Sequence, residues 1–329
     1  MIIYIVVGFL VYIKEITDLK LLFTILIILF AAYWIMAYLL FRYACARKKR
    51  PDDMHPAKAY PALKKYEEQL LSGMVWFRSK QPEEISLLSH DGLRLTSYYI
   101  EHPNPKGNII LVHGYGSLYS LDFACVYEYY YNLGYSLLAV NQRAHGDSEG
   151  KYIYFGTRER YDCQKWAEYI ASRIPSKQPI FFDGLSMGCT SVLMASGLKL
   201  PPNVKGIIAD CGFTSAWEEF CEVLKRAKVP ARPLLDSVNF WSKVCIGFDF
   251  REYSTLDAMK VNRLPILFVH GEADTFVPPG FTYENYRACK GEKYLVTVPE
   301  AGHGMSYLTD MAKCRKAVEE FLDRYGETK

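Results

Sequence analysis

Ser186 stands in the run Gly184-Leu185-Ser186-Met187-Gly188, after the apolar stretch IFFDGL and before the helical pattern MGCTSVLMAS. A serine hydroxyl is a weak nucleophile at neutral pH. It attacks a carbonyl only when a neighbouring base takes its proton and a carboxylate orients that base. Glycines two positions to either side suit a strand-to-helix turn that holds the serine in strained backbone angles, because side chains there would collide where strand and helix nearly touch. The chemistry expected of Ser186 is acyl transfer. The alternative is a glycine-flanked loop serine without chemistry, and the strand before it and helix after it argue against that.

A base and an acid must then come from downstream. His303, in Pro299-Glu300-Ala301-Gly302-His303-Gly304, is the one histidine beyond residue 270, and its small neighbours let the imidazole reach inward. For the acid, the strand ILFVH runs into GEADTFVP and leaves Asp274 on a turn just past its end, which gives the chain order Ser, Asp, His. Asp210 ends the preceding strand and is the alternative acid; Asp274 is preferred. His113, His145 and His270 are read as structural. The glycine-rich turn His113-Gly114-Tyr115-Gly116-Ser117 follows the strand IILV, and the backbone N–H groups of Tyr115 and Met187 are assigned to an oxyanion hole. Preorganised donors of this kind lower the barrier to a tetrahedral intermediate, and Met187 also opens a helix whose dipole favours an anion.

These residues need a scaffold. Past Ser86 the chain alternates short apolar or β-branched runs with helical stretches, the pattern of a mostly parallel sheet covered by helices. Strands are expected near Ile85 to Ser89, Thr96 to Ile100, Asn108 to Val112, Ser136 to Val140, Pro179 to Phe182, Val204 to Asp210, Pro265 to His270 and Lys293 to Val298, about eight in one sheet. The first two flank Asp91-Gly92 and should form a hairpin. In open α/β sheets function gathers at the carboxyl ends of the strands, where the residues named above fall.

From about Ser86 to the C-terminus the chain resembles the α/β-hydrolases, and within them the bacterial esterase-like proteins related to the prolyl-peptidase type. The resemblance rests on HGYGS, NQRAHGDSEG, FFDGLSMG, ADCGFTS, HGEADTFVP and EAGHG in that order. It implies hydrolysis through an acyl-enzyme, with the triad and oxyanion donors on the residues already named and with no metal or cofactor. Asn141 to Gly150 looks like the family's D-x-R-G-H-G-x-S loop, which braces the floor of the site. Here Asn141 replaces the aspartate and Ala144 the glycine, which puts the usual bracing ion pair of Arg143 in doubt. The Trp- and Phe-rich stretch 215–260 is expected to form a small helical cap. Its aromatics would suit an apolar acyl chain or simply pack the cap onto the core.

Ahead of this lies an uncharged run, Leu21 to Phe41, long enough to span roughly 30 Å of hydrocarbon as a helix. Arg42, Arg47, Lys48, Lys49 and Arg50 follow it, and such a cluster stays on the cytoplasmic side during insertion. The expected organisation is a membrane anchor over residues 1–50, a linker and amphipathic helix (around Tyr60 to Leu71) over 51–84, and the α/β-hydrolase domain over 85–329. Ile2 to Ile13 is too short to span alone, so it would lie in the interface or extend into a second membrane helix. Residues 1–51 hold seven Lys or Arg against Glu15 and Asp18, which leaves the remainder with 32 basic and 34 acidic side chains. A nearly neutral globular part lacks the field that nucleic acid requires. Nine cysteines, none in a C-x-x-C pair, read as reduced thiols in a cytosol-facing domain.

The reaction expected is carboxylic-ester hydrolysis on a small-molecule or lipid-like acyl substrate. The same triad would also serve a thioesterase, acyltransferase or peptidase, and a catalytically silent membrane-tethered scaffold is the reading from another class.

Overall fold

The structure is a computed structural model that describes residues 2–47 and 55–326. The expected linker residues Pro51 to Asp53 and the basic Lys48, Lys49 and Arg50 lie outside the described residues. Strands β1 (Glu83–Leu88), β2 (Arg94–Ile100), β3 (Gly107–Val112), β4 (Tyr135–Val140), β5 (Ile180–Leu185), β6 (Val204–Asp210), β7 (Ile266–Gly271) and β8 (Lys293–Val298) form one sheet in the order β1-β2-β4-β3-β5-β6-β7-β8. The pairings β1/β2 and β2/β4 are antiparallel and the rest parallel, so the expected eight-stranded, mostly parallel α/β sheet is what forms.

The central strands are buried on both faces, which is why they read as continuous apolar runs rather than alternating ones. One core lies between the sheet and the helix at Glu159–Arg173, around Trp166, Phe182 and Ile207. The other lies beneath the helix at Met311–Gly326, around Phe181, Phe321 and Tyr127. Register aligns the carboxyl ends: Val112 sits opposite Gly184, Leu185 opposite Asp210, and Gly271 opposite Val298. The loops that follow β3, β5, β7 and β8 therefore leave the sheet along one edge.

Helix α1 runs unbroken from Ile2 to Cys45, so the two apolar runs at its start and middle belong to one helix rather than two. At 1.5 Å per residue its 44 residues extend about 66 Å, twice a hydrocarbon core. The expected amphipathic helix divides: Pro61–Tyr66 is a 3-10 turn, and the α-helix proper is α2 (Glu67–Ser79). It buries Leu70, Met74 and Phe77, and Gly73 permits this, since a Cβ there would fall 1.8 Å from the Ala124 carbonyl oxygen.

Two helices, α3 (Ala216–Arg226) and α4 (Leu234–Ile246), stand over the carboxyl edge as a cap. The last turns of α1 pack against α4: Trp34 meets Phe240 and Trp241 edge-on, Tyr38 meets Trp241, and Tyr33 shares a hydrogen bond with Ser237. Ala37, Phe41 and Cys45 are fully buried in the same cluster as Phe155, Phe213, Val238 and Phe250. A third apolar core thus joins the N-terminal helix, the cap and the edge of the sheet.

Candidate active site

Helix α5 (Met187–Ala195) follows β5 with a single residue between them, and that residue is Ser186, at φ 55° and ψ −117°. A non-glycine residue there is strained, and the flanking glycines show what holds it. A Cβ on Gly184 would lie 2.6 Å from the Gly188 carbonyl oxygen, and one on Gly188 would lie 1.8 Å from that of Val112. The backbones of β3, β5 and α5 can close together only with both side chains absent. Ser186 is thereby pushed above the sheet edge, 6% exposed.

Its Oγ lies 2.9 Å from Nε2 of His303, and Nδ1 of His303 lies 2.7 Å from Oδ2 of Asp274. The structure therefore brings together the three side chains that sequence singled out, from the loops after β5, β7 and β8. The other carboxylate oxygen of Asp274 accepts hydrogen bonds from the backbone N–H groups of Phe276 and Val277, at 2.8 and 2.9 Å. Burial alone would raise this carboxyl. Hydrogen bonds from His270 and His303, the charge of His303 and the backbone donors outweigh it and hold Asp274 well below the ordinary range. An ionised carboxylate beside Nδ1 fixes the tautomer that leaves Nε2 free to accept the serine proton.

Asp210, the alternative acid, ends β6 one strand away, and burial pushes it up to about 6. It makes no hydrogen bond to His303. Its backbone has a structural role, since its carbonyl accepts the Ser186 N–H.

Tyr115 lines the same cavity as Ser186, and Met187 follows the serine directly. Gly114 comes so close that a Cβ on it would lie 3.3 Å from Cβ of Ser186. Met187 is the first residue of α5. The Tyr115 ring stacks on Phe155, and its hydroxyl donates to the carbonyl of Ala44 in α1. His113 and His145 brace this loop: Gln142 N–H donates to the first, and Gly116 N–H to the second.

The doubt about Arg143 resolves in favour of a brace. Its guanidinium makes two hydrogen bonds to Asp162, at 2.6 and 2.7 Å, and two to Asp91, at 2.9 and 3.1 Å. The ion pair survives the loss of the family's aspartate because its partners lie elsewhere in the fold. Asn141 turns instead to Thr96, and Ala144 occupies the family's glycine position at φ 60°.

Three site features escaped the sequence. His270 is fully buried, and its Nε2 lies 2.9 Å from the Val277 carbonyl and 3.2 Å from Asp274, so Asp274 contacts two imidazoles. Glu219 of α3 lines the cavity above Ser186, where burial pushes its carboxyl up to about 8 against the weaker opposing pull of Arg226. Leu40, Tyr43 and Ala44 of α1 line the same cavity, of about 380 Å³. No motif marks any of these positions, and an acid four places after a histidine is a weak signal in sequence.

Among the described residues, two clusters have the composition of a cation site: Cys211, Asp274 and His303, and His90, Asp91 and Asp162. In the first the carboxylate and imidazole are bonded to each other, and in the second both carboxylates are engaged by Arg143.

The family model described as "Serine aminopeptidase, S33" matches residues 103–245, and one described as "TAP-like protein" matches 232–328. YqkD, an uncharacterised protein of Bacillus subtilis, is 28% identical over 72% of this chain and 78% of its own length. Caffeoylshikimate esterase of Arabidopsis thaliana is 30% identical over 40% of this chain and 45% of its own. Among solved structures, an esterase of Pyrococcus furiosus aligns with TM-score 0.63 and 23% identity over 76% of this chain and 94% of that one. The sheet order, the turn at Ser186 and these matches agree: the chain is a hydrolase that belongs to the α/β-hydrolase superfamily.

Proposed function

We propose that this protein is a serine hydrolase that cleaves a carboxylic ester through a covalent acyl-enzyme, with Ser186 as nucleophile, His303 as base and then acid, and Asp274 orienting the imidazole. The observation that carries the reading is the hydrogen-bonded relay from Asp274 through His303 to Ser186 at the strained turn. Ser186 Oγ bonds to the ester carbon while its proton passes to Nε2 of His303. Negative charge on the former carbonyl oxygen is met by the N–H groups of Tyr115 and Met187. The C–O bond to the alcohol then breaks, and the alcohol leaves with the proton held by His303. Water, deprotonated by the same nitrogen, attacks the acyl-enzyme, releases the carboxylic acid and restores the Ser186 hydroxyl.

The relay would act equally on thioesters or amides. The apolar cavity and the esterases among the relatives and structural neighbours favour the ester. The apolar part of α1, within Val7–Cys45, is long enough to cross a bilayer, and Arg42 and Arg47 at its end support a catalytic domain on the cytoplasmic side.

The test is labelling of the full chain with a fluorophosphonate, alongside a panel of short p-nitrophenyl esters, acyl-CoA and peptide amides. Labelling and ester turnover are expected in the wild type, with both lost in Ser186→Ala and turnover reduced about 10⁵-fold or more. A folded wild-type protein that neither labels nor turns over any of the three would establish the scaffold reading instead.

A further inference from the structure

The wall of the active-site cavity is built in part from the membrane helix itself. Leu40, Tyr43 and Ala44 of α1 face Phe220 of α3 and Leu235 and Val238 of α4 across a space that reaches Ser186. Apart from Ser186, the side-chain polar groups at its boundary are the Tyr43 and Tyr115 hydroxyls and Glu219, and the Tyr115 hydroxyl is committed to Ala44.

The depth of this wall follows from charge. Lys14, Glu15, Asp18 and Lys20 bound the apolar run on one side and Arg42 on the other, so the stretch within hydrocarbon is 21–41, about 31 Å long. Helix α4 packs on Trp34 to Phe41 of that same stretch. From Trp34 to Arg42 is about 12 Å of helix, so the cap must reach roughly 10 Å below the bilayer boundary, close to the depth of interfacial helices. The outer face of α4 agrees: Phe240 and Val244, one turn apart, are 47% and 61% exposed, and the neighbouring Lys243 is neutralised by Asp249. Tyr33, Trp34, Tyr38 and Trp241 cluster at this level, where aromatic rings favour the membrane interface. Leu40 and Tyr43, both partly exposed, put the rim of the cavity at the lipid headgroups.

We propose, on the acyl-transfer reading of Ser186, that the substrate is a long-chain acyl ester resident in the bilayer. Its chain enters between α1 and the cap and lies against Leu40 and Ala44, with the ester carbonyl at Ser186. The anchor is thus part of the substrate-binding surface, and chain length is measured in part by α1.

The test uses the full chain reconstituted in phosphatidylcholine vesicles and compares kcat/KM for p-nitrophenyl palmitate and p-nitrophenyl acetate. The long ester should be preferred by about a hundredfold, since each few buried methylenes add about tenfold. Ala44→Trp, which fills the cavity, should lower the long-to-short ratio by about tenfold or more. Leu40→Ala, which enlarges it, should raise that ratio. Opposite shifts from two sites on one helix are not a signature of misfolding. Adding inert phosphatidylcholine at constant palmitate ester should slow turnover, because the substrate is diluted in the surface. A preference for acetate, a ratio unmoved by both variants, or a rate that ignores surface dilution would overturn the proposal while leaving the ester hydrolase intact. A soluble long-chain thioester preferred over the bilayer ester would also overturn it. If neither ester is cleaved and Ser186 takes no fluorophosphonate, the acyl-transfer reading falls and this proposal with it.

Discussion

The relay at Ser186 and the seam between α1 and the cap lie side by side, yet they are built on opposite principles. The relay is made of directional bonds: two contacts of 2.7 and 2.9 Å set the imidazole, and two backbone N–H groups set the carboxylate that holds it. The seam is made of area. Rings of Trp34, Tyr38, Phe240 and Trp241 meet edge-on about 5–6 Å apart, joined by a few hydrogen bonds such as Trp241 Nε1–H to the Trp34 carbonyl. Directional chemistry leaves a signature in residue type and spacing, whereas apolar packing leaves only composition, and the two should fail differently when disturbed.

The sharpest break is at the acid. Asp274→Asn keeps the shape but favours the wrong tautomer of His303, and kcat should fall about 10⁴-fold with little change in melting temperature. Asp210→Asn should cost less than about tenfold, because no hydrogen bond links it to His303. Steady-state kinetics on the two variants decides between them; equal losses would return Asp210 to the relay.

At the seam the balance should invert. Trp34→Ala removes a ring packed against two rings of the cap and should destabilise the cap by about 3 kcal/mol, visible as a lower melting temperature in detergent micelles. Fluorophosphonate labelling of the surviving folded protein should change far less than in Asp274→Asn. An unaffected melting temperature would mean that the seam contributes little.

Glu219 tests the border between the two regions. Its carboxyl, raised by burial to about 8, is neutral in the folded chain at pH 6 but ionised in the unfolded one. Ionisation therefore favours unfolding as pH climbs above the ordinary glutamate range, and the penalty levels off past pH 8. Glu219→Gln removes the penalty. It should leave the melting temperature nearly unchanged at pH 4.5 and raise stability progressively to about 4 kcal/mol by pH 8. A pH-independent difference would show that the carboxyl is ionised in the folded chain.

The smallest effect is expected at Ala144, at φ 60° where glycine fits without strain. Ala144→Gly should stabilise by about 0.5–1 kcal/mol in thermal melts without altering turnover.

The same contrast explains what could be read in advance. All eight strands were legible because β-branched runs between turn residues have few other uses, and Ser186, His303 and Asp274 because each sits just past such a run. Arg143 was misjudged because the expectation looked for a partner at position 141, while its carboxylates come from Asp91 and Asp162, 52 and 19 residues away. The inner face of α1 was invisible for a deeper reason. Ala37, Phe41 and Cys45 repeat every four residues, but a helix that is apolar on every side hides the stripe that turns toward the rest of the chain.

One bond in this arrangement carries a wider implication. The Tyr115 hydroxyl donates to the carbonyl of Ala44, so the loop that carries Tyr115 beside the site is tethered to the last turn of α1. Trimming the chain to a fragment that starts after residue 50 would remove that tether together with one side of the cavity. Such a fragment would then report on an altered site.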